Sequence, residues 1–232
     1  MTLYLRPSNA VFIMQITENI WQVGGGDLTS PEDAAVYLVC FGDGAALIDA
    51  GCGYRNDRLV QNVSQCLPAS AKVEYLFLTH CHFDHVGGAE ALRQQYGCKI
   101  VAHELDAVYL KTGNSEITAA LWYGETMIPF TVDCKITGQE QAFQVGSGEI
   151  RALHCPGHSP GSVMYVTESE GKTVLFGQDI HGPLNPSLLS DREDYIKSLE
   201  RLMNLEADIL CEGHFGIYHG MERVRKFINS FM

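Results

Sequence analysis

The sequence has no apolar run approaching the length of a bilayer span, which argues against a membrane-embedded protein. Positive charge is scarce: 16 Lys and Arg stand against 28 Asp and Glu, for a formal net charge of −12. Such a surface repels nucleic-acid backbones and anionic membranes. The one small basic cluster, Arg223, Arg225 and Lys226, falls on what reads as an ordinary terminal helix. There is no Pro, Gly or Ser-rich linker and no low-complexity tract, so 232 residues with 46% apolar content read as one domain with a sizeable core. The eight cysteines include no Cys-x-x-Cys pair, and several sit inside apolar runs such as VYLVCF and ADILCEGH. They read as reduced thiols filling core space. The opening MTLYLRPSNAVFIM lacks the continuous apolar stretch of an export signal, so the expected compartment is the cytoplasm. QITENIWQVGGG, which follows Met14, reads as a first strand; residues 1–13 are therefore expected to be an extension, and residues 14–232 the domain.

β-branched and aromatic runs bounded by Gly, Asp and Asn predict strands near 18–23, 35–41, 45–49, 73–79, 98–102, 142–145, 149–154, 162–167, 173–177 and 207–211. Helical periodicity is clearest at Leu59 to Leu67, Tyr195 to Met203 and Val224 to Phe231, with Ser190 and Asp191 as candidate caps of the middle helix. Helices between and after groups of strands predict layered α and β structure. GAALIDAG followed by YLFLTHCHFDH has the order strand, Asp, helix, strand, His, and KTVLFGQD followed by ADILCEGH repeats it. The echo suggests two related halves whose strand ends converge.

The densest chemistry lies in THCHFDH, directly after the apolar VEYLFL. On an extended segment His80 and His82 point to one side and can reach one ion. A turn at Phe83 would let Asp84 and His85 reach a second, while Gly87 and Gly88 admit a close backbone approach. Four polar side chains on a solvated loop would be the plainer explanation, but an apolar strand leads the cluster to the edge of a buried sheet. Further ligands are then required, and other strand ends supply His154, His158, Asp179, His181 and His214. Cys81 lies between two inward histidines, so alternation aims its thiol away.

With THCHFDH, PGHSPGS, FGQD and CEGH in this order, and Asp49 in LIDAG, the chain resembles the metallo-β-lactamase-fold superfamily across residues 49–214. The resemblance implies an α+β fold, a four-layer αββα sandwich with the site at the sheet edges. It implies that His80, His82 and His158 bind one metal, that Asp84, His85 and His214 bind a second, and that Asp179 bridges both. Asp49 would orient ligands through hydrogen bonds. The cofactors implied are two divalent ions, zinc foremost, with iron or manganese as alternatives. His154 is expected to be structural or to support the ligands, His181 to be a bystander or to face substrate, and His103 and His219 to be surface or boundary residues.

Two such ions would supply hydroxide at neutral pH and polarise a carbonyl, with Asp84 orienting the nucleophile or shuttling its proton. This fits hydrolysis of an activated acyl bond, a thioester or a lactone ester, in a small molecule. Antibiotic-hydrolysing members are typically exported and lack the bridging aspartate, and diiron oxygen reductases carry glutamate where this chain has His82. RNA-processing members call for recognition elements and charge that are missing here. PGHSPGS is most similar to the glyoxalase II-like group, although only a short helix follows GHFGIYHG where that enzyme has a helical domain for glutathione. The runner-up is a persulfide dioxygenase-like oxidoreductase with one iron at His80, His158 and Asp179. A non-catalytic metal-stabilised module ranks below both, because seven ligands for two ions leave room for solvent. Tyr109, Trp122, Tyr123, Met127 and Phe130 are candidates to line an apolar pocket over the metals, and the chain is compatible with a monomer or a homodimer.

Overall fold

The structure, a computed structural model, describes residues 13–232. Residues 1–12, all but the last position of the expected extension, lie outside the described residues; Ile13 packs partly buried against the core. Two sheets carry the fold. In the first, β1 (Met14–Thr17), β2 (Ile20–Gly24), β3 (Val36–Phe41) and β4 (Gly44–Ile48) run antiparallel, and β5 (Lys72–Phe77), β6 (Lys99–His103) and β7 (Cys134–Ile136) continue parallel to β4. In the second, β8 (Glu140–Val145), β9 (Gly148–His154), β10 (Val163–Ser169) and β11 (Lys172–Gln178) form an antiparallel meander. β12 (Ile209–Glu212) then pairs parallel with β11, and β13 (Ile217–His219) closes that edge antiparallel.

Side-chain alternation explains why the sheets stack. Along β3, Tyr37, Val39 and Phe41 enter the core between the sheets, while Val36, Leu38 and Cys40 face the other way. Phe77, Phe143, Tyr165 and Phe176 from both sheets fill the same inter-sheet layer. Each such ring contributes about 1.5–3 kcal/mol by leaving water. Outside the first sheet lie α1 (Asn56–Cys66) and α3 (Ala89–Tyr96), seated through Leu59, Val63, Ala89 and Leu92, with α4 (Glu104–Thr112) anchored by Leu110. Outside the second lie α5 (Arg192–Met203) and α6 (Met221–Asn229), seated through Tyr195, Leu199, Leu202, Val224 and Ile228. The order of layers is αββα, as the resemblance implied.

Each sheet holds a strand, helix, parallel-strand unit, β4, α1, β5 in the first and β11, α5, β12 in the second, and the first sheet repeats the arrangement through β6 and β7. This is the echo seen in the sequence. Between the two candidate caps of α5, Asp191 is the cap, its carboxylate accepting from Asp194 N at 2.9 Å. Ser190 instead donates to His158 O at 2.7 Å. β7, β13 and α4 were not anticipated, and the expected first strand is split by a turn into β1 and β2; β1, β7 and β13 are short and lie at sheet edges, where the alternation of burial is weak. All eight cysteines are free thiols, and Cys81 and Cys52 belong to the core beneath α1 and α3.

Candidate metal centre

The site assembles where the C-terminal ends of the central parallel strands meet. After β5 the chain bends through Thr79 to Cys81 instead of running extended, yet the His80 and His82 rings still meet at 4.5 Å; His82 stands at the N-terminus of a one-turn helix, α2 (Phe83–Val86), that carries Asp84 and His85. After β9 a loop carries His158, after β11 comes Asp179, and after β12 comes His214. His80, His82, His158 and Asp179 form one group in which a donor atom of each lies within 4.8 Å of the others; Asp84, His85 and His214 form a second. All are buried except His214, whose side chain is 31% exposed.

Asp179 faces both groups. Its Oδ2 lies 3.3 Å from His158 Nε2 and 3.9 Å from His80 Nε2. Its Oδ1 lies 3.2 Å from His85 Nε2 and 3.5 Å from His214 Nε2. Asp84 Oδ2 completes the second group at 3.2 Å from His214 Nε2 and 3.5 Å from His85 Nε2.

Surrounding hydrogen bonds set the tautomers. Asp49, at a left-handed φ of 62°, accepts from Thr79 N at 2.8 Å, Thr79 Oγ1 at 2.7 Å, His85 Nδ1 at 2.7 Å and Gln178 Nε2 at 2.6 Å. His85 Nδ1 therefore holds its proton. Thr79 Oγ1 donates its one hydrogen to Asp49, so at 3.1 Å it accepts from His80 Nδ1. His158 Nδ1 faces the Pro183 carbonyl at 3.1 Å, which can only accept. With Nδ1 so engaged, Nε2 of His80, His85 and His158 is the nitrogen turned toward Asp179. His158 Nε2 meets His82 Nδ1 at 2.9 Å.

These residues fit a resident cation on three observations. His80 Nε2, His82 Nε2, His85 Nε2 and Asp179 Oδ1 are buried without a hydrogen-bond partner, an expensive state for polar atoms. Burial first, and then the neighbouring histidines, push the pKa of His80 well below its ordinary value, while burial and His158 push that of His82 down to about 3. Both rings are thus kept neutral, the form that can bind an ion. Gly213 keeps the space open, since a Cβ there would lie 2.7 Å from Asp179 Oδ1 and 3.4 Å from His85 Cε1. At His85 burial opposes charge, but the Asp179, Asp84 and Asp49 carboxylates outweigh it and raise the pKa well above the ordinary range. Positive charge is what this pocket selects.

A cavity of about 190 Å³ opens over the cluster, walled by Trp122, Tyr123, His181, Pro183 and Leu188. Of the five expected pocket residues, only Trp122 and Tyr123 line it. Met127 and Phe130 are buried in the first-sheet core and line a separate cavity beyond Phe83, and Tyr109 packs on that core. His103 is no surface residue: it is 3% exposed, caps α4 by accepting from Leu105 N, and stacks on His154 at 3.8 Å. His154 Nε2 pairs with Pro160 O at 2.9 Å, a structural position. His181 does reach the cavity, its Nδ1 held 2.7 Å from the fully buried Glu212. Gly87 and Gly88 approach Cys52 O and Ala50 O rather than the cluster, closing on the turn after Asp49. Sequence reasoning missed the parts played by Thr79, Gln178 and Glu212, although THCHFDH, FGQD and CEGH contain them.

An αββα sandwich with histidines and carboxylates gathered at its strand ends defines a metallo-hydrolase scaffold. The chain belongs to the Metallo-beta-lactamase superfamily, whose profile matches residues 29–214. Hydroxyacylglutathione hydrolase GloC of Haemophilus influenzae is 31% identical over 194 residues, covering 80% of this chain and 88% of that protein. Acyl-coenzyme A thioesterase MBLAC2 of Homo sapiens is 26% identical over 226 residues, covering 86% and 78%. Among solved structures, a Cronobacter sakazakii metallo-beta-lactamase with a HARLDQ motif superposes with a TM-score of 0.73 at 25% identity, covering 87% of this chain and 77% of that one. The subclass B3 metallo-beta-lactamase MEM-A1 from a soil metagenome shares the fold, with a TM-score of 0.73 at 19% identity and coverage of 94% and 92%.

Proposed function

We propose that this chain is a dinuclear metal-dependent hydrolase that cleaves an activated acyl bond, a thioester or lactone ester, in a small molecule. The observation that carries the reading is the Asp179 carboxylate, with one oxygen turned to His80 and His158 and the other to His85 and His214. His80, His82 and His158 would hold one divalent ion and Asp84, His85 and His214 the other, with Asp179 shared and zinc the favoured metal. When bound, such ions lower the pKa of solvent and polarise a carbonyl. Asp84, beside His214 and at the floor of the cavity, is the carboxylate placed to orient the attacking water and take its proton. Asp49 fixes the His85 ring directly and the His80 ring through Thr79.

Tyr123 contributes from the cavity wall. Burial and the Asp84 carboxylate raise its pKa, so its hydroxyl keeps its proton at neutral pH and can donate to substrate. Pro183, Leu188 and Trp122 give the same cavity an apolar rim suited to an acyl group. The named substrates of the two relatives, hydroxyacylglutathione and acyl-coenzyme A, support a thioester over a lactone. Among the described residues no helix is long and apolar enough to cross a membrane, and the eight free thiols fit a reducing compartment such as the cytoplasm.

Metal analysis of protein purified without added metal, paired with thioester and lactone hydrolysis, tests the reading. Two divalent ions per chain with release of free thiol are expected. One iron per chain, with oxygen uptake in the presence of a persulfide, would overturn it in favour of the oxygenase chemistry.

A further inference from the structure

Asp106 has no role in the chemistry above, yet it is 1% exposed and lies on the face of α4 that also buries Ala107 and Leu110. Among the described residues no lysine or arginine pairs with it. Its partners are instead three donors from the two loops that carry the first group of histidines. Oδ2 accepts from Cys81 N at 2.9 Å, between His80 and His82, and from Ser159 Oγ at 2.7 Å, next to His158. Oδ1 accepts from Gly161 N at 2.7 Å. Ser162 Oγ extends the chain, 2.9 Å from Ser159 Oγ and accepting from Ser159 N at 3.0 Å. Gly161 is shaped to this carboxylate: a Cβ there would lie 2.6 Å from Asp106 Cγ.

A bare carboxylate inside an apolar face is costly, and burial raises its pKa accordingly. An apolar residue would avoid that cost but leave three buried donors unpaired. What Asp106 adds is a single rigid point joining the 80–82 and 158–161 segments, whose histidines must bring His82 Nδ1 and His158 Nε2 to 2.9 Å. The second group is tied by backbone instead: Ala34 N donates to Asp84 O at 3.2 Å and Ala35 N to Gly213 O at 2.8 Å, while His214 is held through its own N–H by Glu212 Oε2 at 2.7 Å.

We propose that Asp106 is a positioning residue for the ion held by His80, His82 and His158, setting the geometry of that ligand set and not of the other. This rests on the two-ion reading above. It is testable without knowing the substrate, by titrating metal-free full-length protein with cobalt(II) against a competing chelator while following the visible absorption of the ion. His82→Ala and His214→Ala assign which transition belongs to which group. Asp106→Asn keeps the volume but loses one acceptor, and Gly161→Ala displaces the carboxylate without changing its charge.

Both variants are expected to weaken the His82-dependent ion about 10–100-fold and shift its absorption, leaving the His214-dependent ion within about twofold. Equal weakening at both groups, with a matching fall in melting temperature of the metal-free protein, would make Asp106 a general brace and overturn the proposal. So would unchanged affinity at both. A wild-type protein that takes up no cobalt would overturn the metal reading itself and this inference with it.

Discussion

The two halves of the molecule feed the site in opposite ways. The first sheet delivers His80, His82, Asp84 and His85 from one short segment, where a bend gives way to a single helical turn. The second delivers His158, Asp179 and His214 from three loops that only the sheet topology brings together. Both halves rest on the same strand, helix, parallel-strand unit, so the scaffold is shared while the supply of ligands is not. The compact segment sets most of the donors locally. The dispersed loops set whether two groups share a carboxylate, since Asp179 alone approaches both.

The sharpest way to break that contrast is Asp179→Ala. It alters only the dispersed half, yet it should abolish retention of metal at both groups and lower hydrolysis by more than about 100-fold, beyond the range for a residue that merely supports a ligand. Metal content and rate measured on the same preparation check it. Next comes removal of the metal: a chelator should lower the melting temperature by on the order of 5–15 °C, because ions that bind only the folded state stabilise it by mass action. An unchanged melting curve would mean the halves are held together without them.

Asp49→Asn acts mainly on the compact half, with Gln178 its partner from the other. Losing an acceptor among Thr79, His85 and Gln178 should cost about 10–100-fold in metal affinity or activity, read by competition with a chelator. The smallest effect is expected from Asp191→Ala, which removes the cap of α5. About 1 kcal/mol of stability, or roughly 2–4 °C by calorimetry, should be lost with no change in metal content.

The compact half was legible because its signal is local: the strand leading into THCHFDH is apolar, and His80 and His82 do share a side, although the chain between them bends where an extended run was expected. The central strands and α1, α5 and α6 were legible for the same reason, each having a face of regular period. His158, Asp179 and His214 could be found as strand-end residues, but the way they are shared came from a family resemblance rather than from spacing. Asp106 left one trace, an acid on the buried side of HELDAVYL, which reads as ordinary helix until the 159–161 loop is seen against it. Met127 and Phe130 went the other way. Their place in an aromatic-rich segment suggested a pocket wall, and burial in the first-sheet core decides otherwise. A one-dimensional pattern does not tell which side of an irregular segment meets the core.

The central claim is that one carboxylate is shared by two ions. Anomalous diffraction at the zinc edge on metal-loaded crystals of the unmodified chain tests it most directly. Two peaks are expected, one among His80, His82 and His158 and one among Asp84, His85 and His214, with an oxygen of Asp179 turned to each. A single peak, or two peaks of which only one touches Asp179, would contradict it.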